Sequence, residues 1–326
     1  MKKFMKFFSI LLAFLPMVVV LAACGEKPPE APVSEPHVHS FSVENEDYCE
    51  GCKSYVVKGT GSQYLTEGET AKNLEDVWQN ATPVDGVMNY IISGDVVHNQ
   101  EGTYSFQNID LSKDAAIVNI VGEGEGASLT ITGKYYAGFY ALESKLYFEN
   151  LIINSARNLG EYLNSWEWYH LISNATEVKF TNCKFTEGVK VEAHTKATFE
   201  TCEFQVSGNH YSIWVGSKGN SALSHYTDNI ESCIIKNCTF NSTRGIKVLS
   251  SGAEIIIEEN TFNNLSGKPG IVLDSDFGEK NTVKIKNNKF NGCVKGTWNH
   301  AENTLYDEPY NLEYFDVTAS GNIVNG

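Results

Sequence analysis

Two histidines one residue apart, His37 and His39, stand shortly before the pair Cys49-Glu50-Gly51-Cys52. Two imidazoles and two thiols are the nitrogen and sulfur donors that tetrahedral zinc takes, and Glu-Gly between the cysteines suits a tight knuckle. Four protein ligands would leave no open position, so zinc here would be structural. Two other readings stay open: Cys49 and Cys52 could pair as a disulfide in an oxidising compartment, or residues 37–56 could be a spacer. A second group is aromatic. Tyr162, Trp166, Trp168 and Tyr169 crowd into an insertion at 158–170, and flat rings with polar edges can stack on sugar faces while neighbouring groups bind hydroxyls. The same rings could instead pack the insertion onto its scaffold. A third group comprises Lys190, Trp214, Lys247, Asp274, Trp298 and His300. Its members recur at matched offsets in a repeat.

That repeat is the scaffold. Seven segments end at Ile153, Phe185, Phe204, Phe240, Phe262, Phe290 and Val324. Two residues earlier stand Leu151, Cys183, Cys202, Cys238, Asn260, Asn288 and Asn322. Five earlier stand Phe148, Phe180, Phe199, Ile235, Ile257, Ile285 and Ala319. Asn154, Asn241, Asn263, Asn291 and Asn325 follow the endpoints. Matched columns of this kind mark stacked coils, and the shortest intervals, 19 and 22 residues, approximate a bare coil. The asparagines can stack as hydrogen-bonded ladders. Cys183, Cys202 and Cys238 read as buried thiols, because in-register Cβ vectors about 4.8 Å apart run parallel and suit a disulfide poorly. After each turn comes another column, beginning Gly188-Val, Tyr211-Ser-Ile, Gly245-Ile, Gly270-Ile and Gly296-Thr. Alternation puts Val189, Ile213, Ile246, Ile271 and Thr297 inside and Lys190, Trp214, Lys247, Val272 and Trp298 outside. Glu192, Gly216, Leu249, Asp274 and His300 form the adjacent outward row.

Upstream, residues 1–24 read as an export signal, with three lysines, an apolar run and small residues before a cysteine. Leu21-Ala22-Ala23-Cys24 resembles the bacterial lipobox, which implies lipidation of Cys24 and anchoring on the outer face of a bacterial membrane. Residues 25–36 form a Pro-rich tether. Leu74, Val77, Trp78 and Ala81 predict an amphipathic helix over 73–81, capped by Asn73. Val87–Ser93, Ala116–Val121 and Leu129–Thr132 read as strands, with Gly122-Glu-Gly124-Glu-Gly126 as a turn between coils.

This order of helix, strands and repeating coils resembles the pectin-lyase-like right-handed parallel β-helix over residues 70–326. The resemblance implies an all-β solenoid with a short N-terminal capping helix. It also implies that the outward face beside the Gly-led column is where family enzymes bind sugar. Polysaccharide lyases of that fold gather acids around calcium, which needs several converging oxygens. Glycosidases need two carboxyls about 5–9.5 Å apart. Glu192 and Asp274, three coils apart, stand about 14 Å from each other, so calcium is not supported. Gly208-Asn-His210 and Arg244-Gly-Ile-Lys247 loosely resemble polygalacturonase motifs, but that family's acidic pairs are missing upstream of them. The expectation is a surface protein that recognises a glycan or surface partner, with a lyase or hydrolase acting on uronic-acid polysaccharide as the alternative.

Composition limits the partners. The chain has 42% hydrophobic and 12% aromatic residues, as folded proteins do, and a net charge of −15. That charge argues against nucleic acid and against membrane contact beyond the lipid anchor. The expected state is a monomer. Only Arg157 and Arg244 supply guanidinium groups.

Overall fold

Short alternating stretches become strands here because every second residue meets a dry interior. In Lys196–Glu200 the buried residues are Ala197 and Phe199, in Ser232–Lys236 Cys233 and Ile235, and in Glu254–Glu258 Ile255 and Ile257. Strands of this length are unstable alone. Each pairs in parallel with its counterparts one coil before and one coil after. The computed structural model describes residues 39–41, 46–98, 110–132, 138–156, 170–191, 196–208, 210–216, 230–263, 265, 267–298 and 303–325. All lie within the compact unit His37–Gly326.

Three parallel sheets wind around one apolar core. In the first, Tyr55, Tyr90, Ile120, Phe148, Phe180, Phe199, Ile235, Ile257, Ile285 and Ala319 stand in one register column. In the second, Val96, Leu129, Ile153, Phe185, Phe204, Phe240, Phe262, Phe290 and Val324 do the same. The third aligns Val189, Ile213, Ile246 and Ile271. The seven endpoints read from the sequence therefore stack in register, and the fold is a parallel β-helix.

Two earlier coils carry the same columns with altered spacing. Strands Val87–His98 and Ile117–Ile131 each run through the corner, serving the first sheet with one half and the second with the other. The glycine cluster 122–126, expected as a turn between coils, instead forms the corner inside one coil. The hairpin of the 37–56 segment also joins the solenoid. Tyr48–Cys49 pairs antiparallel with Ser54–Lys58, which is the first rung of the first sheet. At the other end Tyr310–Leu312 lies antiparallel on Phe315–Ser320. Antiparallel hairpins thus cover both terminal edges of the first sheet, which would otherwise present unpaired backbone.

Helix Leu74–Asn80 packs Leu74 and Val77 into the core beside those first rungs. Asn73 precedes it, and its backbone N–H donates to the Asp76 carboxylate at 2.9 Å. Glu75 in the first turn pairs with the fully buried His98. Among the described residues, no helix is long and apolar enough to cross a membrane.

The corner between the first and second sheets needs a left-handed residue in each coil. Asn150, Asn182, Thr201, Asn237, Glu259 and Asn287 supply it, with φ from 52° to 58°. Asparagine adopts this conformation most readily among residues with a Cβ. Thr201, β-branched and exposed at φ 57°, fits worst. Thr201→Asn is expected to raise unfolding stability by about 1 kcal/mol in chemical denaturation, since left-handed backbone costs an ordinary L-residue roughly 1–2 kcal/mol. No gain would mean that the corner relaxes around threonine.

Side-chain ladders reinforce each corner. On the inner side the Asn260 amide donates to Asn288 Oδ1 and the Asn288 amide to Asn322 Oδ1, both at 3.0 Å. On the outer side Asn325, Asn291, Asn263 and Asn241 link in turn at 2.8–2.9 Å. Cys183, Cys202 and Cys238, which share the inner column, are buried thiols. The Cys238 Sγ–H points to the Phe199 carbonyl at 3.5 Å. Asn260 Nδ2 donates to the corresponding Ile235 carbonyl one coil on, at 2.9 Å. Cysteine is therefore a weaker version of the same contact.

Candidate functional site

The third sheet holds the outward row. Register pairs Lys190 with Trp214, Trp214 with Lys247, Lys247 with Val272 and Val272 with Trp298. Their alternate neighbours Val189, Ile213, Ile246, Ile271 and Thr297 are fully buried. The row is organised by its own chemistry. Lys190 Nζ lies 5.3 Å and Lys247 Nζ 4.3 Å from the Trp214 ring centroid, which is cation–π distance. Tyr211 meets Trp214 edge-on at 6.3 Å, and Val272 and Leu249 complete a small apolar cluster outside the main core. Lys247 also pairs with Asp274 at 2.8 Å, and the two side chains are only 15% and 12% exposed.

This packing departs from the sequence expectation. Lys190 and Trp214, expected to face outward as glycan-contact candidates, are 1% and 4% exposed. The indole face that would carry a sugar is occupied by ammonium groups. What lies open is a neighbouring cleft of about 290 Å³ lined by Tyr211, Arg244, Lys268, Pro269 and Val272, at the lower end of small-ligand volumes. An Arg244 guanidinium N–H donates to the Tyr211 hydroxyl at 3.0 Å, and the guanidinium carbon sits 5.1 Å from the Tyr211 ring centroid. Burial pushes the Tyr211 phenol up, and the Arg244 charge opposes that rise.

Sequence reasoning met Arg244 only in a motif loosely resembling that of polygalacturonases and did not single out Lys268 or Pro269. The available signal was position: Lys268-Pro269 leads directly into the Gly270 column, so its side chains fall at the rim of the outward face. Trp298 continues the row in backbone register. Cys24, His37, Trp166, Trp168, Tyr169, Glu192 and His300 lie outside the described residues.

A second constellation lies at the N-terminal end of the solenoid. His39, Cys49 and Cys52 bring one donor atom each within 4.8 Å of one another. Cys52 Sγ is 3.5 Å from His39 Nδ1. The other ring nitrogen, Nε2, faces the Glu123 carboxylate at 3.0 and 3.1 Å. Tyr64 sets its ring edge-on to His39 at 5.1 Å, and its phenol is pushed up to about 12 by burial and by Glu123. Burial likewise pushes the Cys52 thiol up to about 11. Cys49 and Cys52 form no disulfide. Glu123 entered the sequence reading only as part of the glycine cluster, because nothing local marks a residue that meets its partner 84 positions away.

The chain folds as a right-handed parallel β-helix. Residues 169–308 match the family model described as "right handed beta helix region". Among curated proteins and solved structures, none matches the chain.

Proposed function

We propose that this chain is an exported, lipid-anchored surface protein whose β-helix binds an acidic glycan without cleaving it. The observation that carries the reading is the cleft beside the outward row. There Arg244 and Lys268 set two cations against the Tyr211 ring and the apolar Pro269 and Val272. A guanidinium fork suits a uronate carboxylate, and the ring and apolar groups suit a sugar face. The protein as a whole carries −15, so a polyanion would be repelled elsewhere and held only where the cations meet. Asp274, the carboxylate of the described outward rows, is already committed to Lys247. It is therefore poorly placed to serve as a general acid or base. Lipidation at Cys24 supports display at the cell surface, and the tether at 25–36 would lift the solenoid from the membrane.

Calorimetric titration with uronic-acid oligosaccharides and neutral counterparts tests the reading. The acidic series should bind, more weakly as salt rises. Arg244→Gln should weaken binding about tenfold to hundredfold, as expected when a charge-assisted hydrogen bond of roughly 1.5–3 kcal/mol is lost. Equal binding of neutral sugars, or release of new reducing or unsaturated ends, would overturn it.

A further inference from the structure

We propose that His39, Cys49 and Cys52 bind one zinc ion, that Glu123 orients the histidine from behind, and that the ion clamps the N-terminal hairpin onto the solenoid. This goes beyond the glycan reading and is independent of it.

The donor geometry fits the ion. A sulfur about 2.3 Å and a nitrogen about 2.0–2.1 Å from a tetrahedral zinc are separated by roughly 3.5 Å. The observed separation of Cys52 Sγ and His39 Nδ1 is 3.5 Å. All three donors lie within 4.8 Å, so small side-chain rotations would bring them onto one centre. A nitrogen and two sulfurs are donors that zinc prefers and calcium does not.

The orientation of the ring is the second, independent observation. His39 Nε2 meets both carboxylate oxygens of Glu123. A proton on Nε2 donated to that carboxylate leaves the Nδ1 lone pair directed at the cysteines. Histidines that ligate zinc commonly show this arrangement, with a carboxylate fixing the tautomer and raising ligand basicity. Tyr64 stands against the same ring and the same carboxylate. His39 is 5% exposed and Cys49 is fully buried, so the cluster is a built site.

Topology gives the ion its role. Cys49 lies in the strand that runs antiparallel to the first rung, Ser54–Lys58, and Phe41 bridges to Cys49. Glu123 belongs to the corner of the strand Ile117–Ile131, and Val87–His98 pairs between that strand and the first rung. A zinc held by His39 and the two cysteines would therefore tie the hairpin at the solenoid's edge to a corner two rungs further in. Terminal repeats have a neighbour on one side only and benefit most from such a clamp.

The test uses the full chain in detergent with a non-chelating reductant. Titration with zinc against a chromophoric chelator should give one ion per chain. Cobalt(II) should give thiolate-to-metal charge-transfer absorption. Cys52→Ser and His39→Gln should lose both signals. Glu123→Gln should retain the β-sheet circular dichroism and still bind, but about 10- to 100-fold more weakly. Chelation should lower the melting temperature of the wild-type chain and leave that of Cys52→Ser unchanged. Absence of stoichiometric zinc, or a Cys49–Cys52 disulfide in the chain as isolated from its membrane, would overturn the site. Wild-type affinity in Glu123→Gln would overturn the docking role of that carboxylate.

Discussion

Asn288→Leu is expected to cost about 3–5 kcal/mol of unfolding free energy although it keeps the side chain's branching and number of heavy atoms. The Asn288 side chain is fully buried and is used on both sides. Its amide donates to the Ile257 carbonyl at 2.9 Å and to Asn322 Oδ1 at 3.0 Å. Its Oδ1 accepts from the Asn260 backbone N–H and from the Asn260 amide, both at 3.0 Å. Leucine removes the acceptor of the Asn260 backbone N–H, one of the two acceptors of the Asn260 amide and the side-chain donor to the Ile257 carbonyl, while Asn322 Oδ1 keeps the Asn288 backbone N–H at 3.0 Å and the Asn260 amide keeps the Ile235 carbonyl at 2.9 Å. Each stranded group costs roughly 1–3 kcal/mol, with carbonyls at the lower end because a second lone pair remains. In a stacked repeat the damage should stay local. Hydrogen exchange is therefore expected to accelerate first in 254–258, 281–291 and 315–325, with little change near 54–98. A loss below about 1 kcal/mol in denaturant would show that backbone pairing alone sustains these corners.

The same asparagines explain why the later coils were legible in the sequence. Phe and Asn recur at fixed offsets because each coil presents the same corner to the same neighbours, so one solution is reused. Where the corner is built differently, the pattern dissolves. From the first-sheet column to the second the usual separation is five residues, as from Phe199 to Phe204. It becomes six between Tyr90 and Val96, and nine between Ile120 and Leu129. The residues are of the right type in all these coils. Only the spacing hides them, because the strands run through the corner and absorb extra glycines.

The candidate sites were legible to different degrees. Alternation placed Lys190, Trp214, Lys247 and Val272 in one outward row, and their backbone register agrees. Alternation says nothing of what a side chain does after leaving the sheet. A lysine beside a tryptophan in the neighbouring rung can reach water or fold over the ring, and here two lysines lie against Trp214. At the N-terminal end the spacing of His39, Cys49 and Cys52 exposed the donors. Glu123 depended on which corner the hairpin lies against, and that is a tertiary fact.

The other large effect is expected at Phe262, and it links the core to the cleft. The second-sheet phenylalanines form a continuous stack. Phe240 and Phe262 are 4.5 Å apart at 5°, Phe262 and Phe290 4.8 Å apart at 8°, and Tyr306 closes the column on Phe290 at 3.8 Å. Phe262→Ala should cost about 3–5 kcal/mol, as large-to-small changes at buried aromatics do. It removes stacking on both faces, and neighbours held by their own rungs cannot collapse into the gap. The ring also fixes the third sheet. A methyl group at Gly245 would sit 3.1 Å from Phe262 and collide with the Gly270 carbonyl, and one at Gly270 would sit 2.8 Å from the Phe290 ring. At Gly270 the phenylalanine rings fill the space that a side chain would need, and at Gly245 the Gly270 carbonyl stands closer still. Gly245 follows Arg244 and Gly270 follows Pro269, so the segments over these rings carry both the guanidinium and the Lys268-Pro269 rim of the cleft. Phe262→Leu, which keeps part of the volume, should fold with a smaller loss of about 1–2 kcal/mol. It should nevertheless weaken uronate binding several-fold by loosening the Arg244–Tyr211 contact. Unchanged affinity in that variant, measured beside its denaturation midpoint, would show that the cleft is held by the outer cluster of Tyr211, Trp214 and Val272 alone.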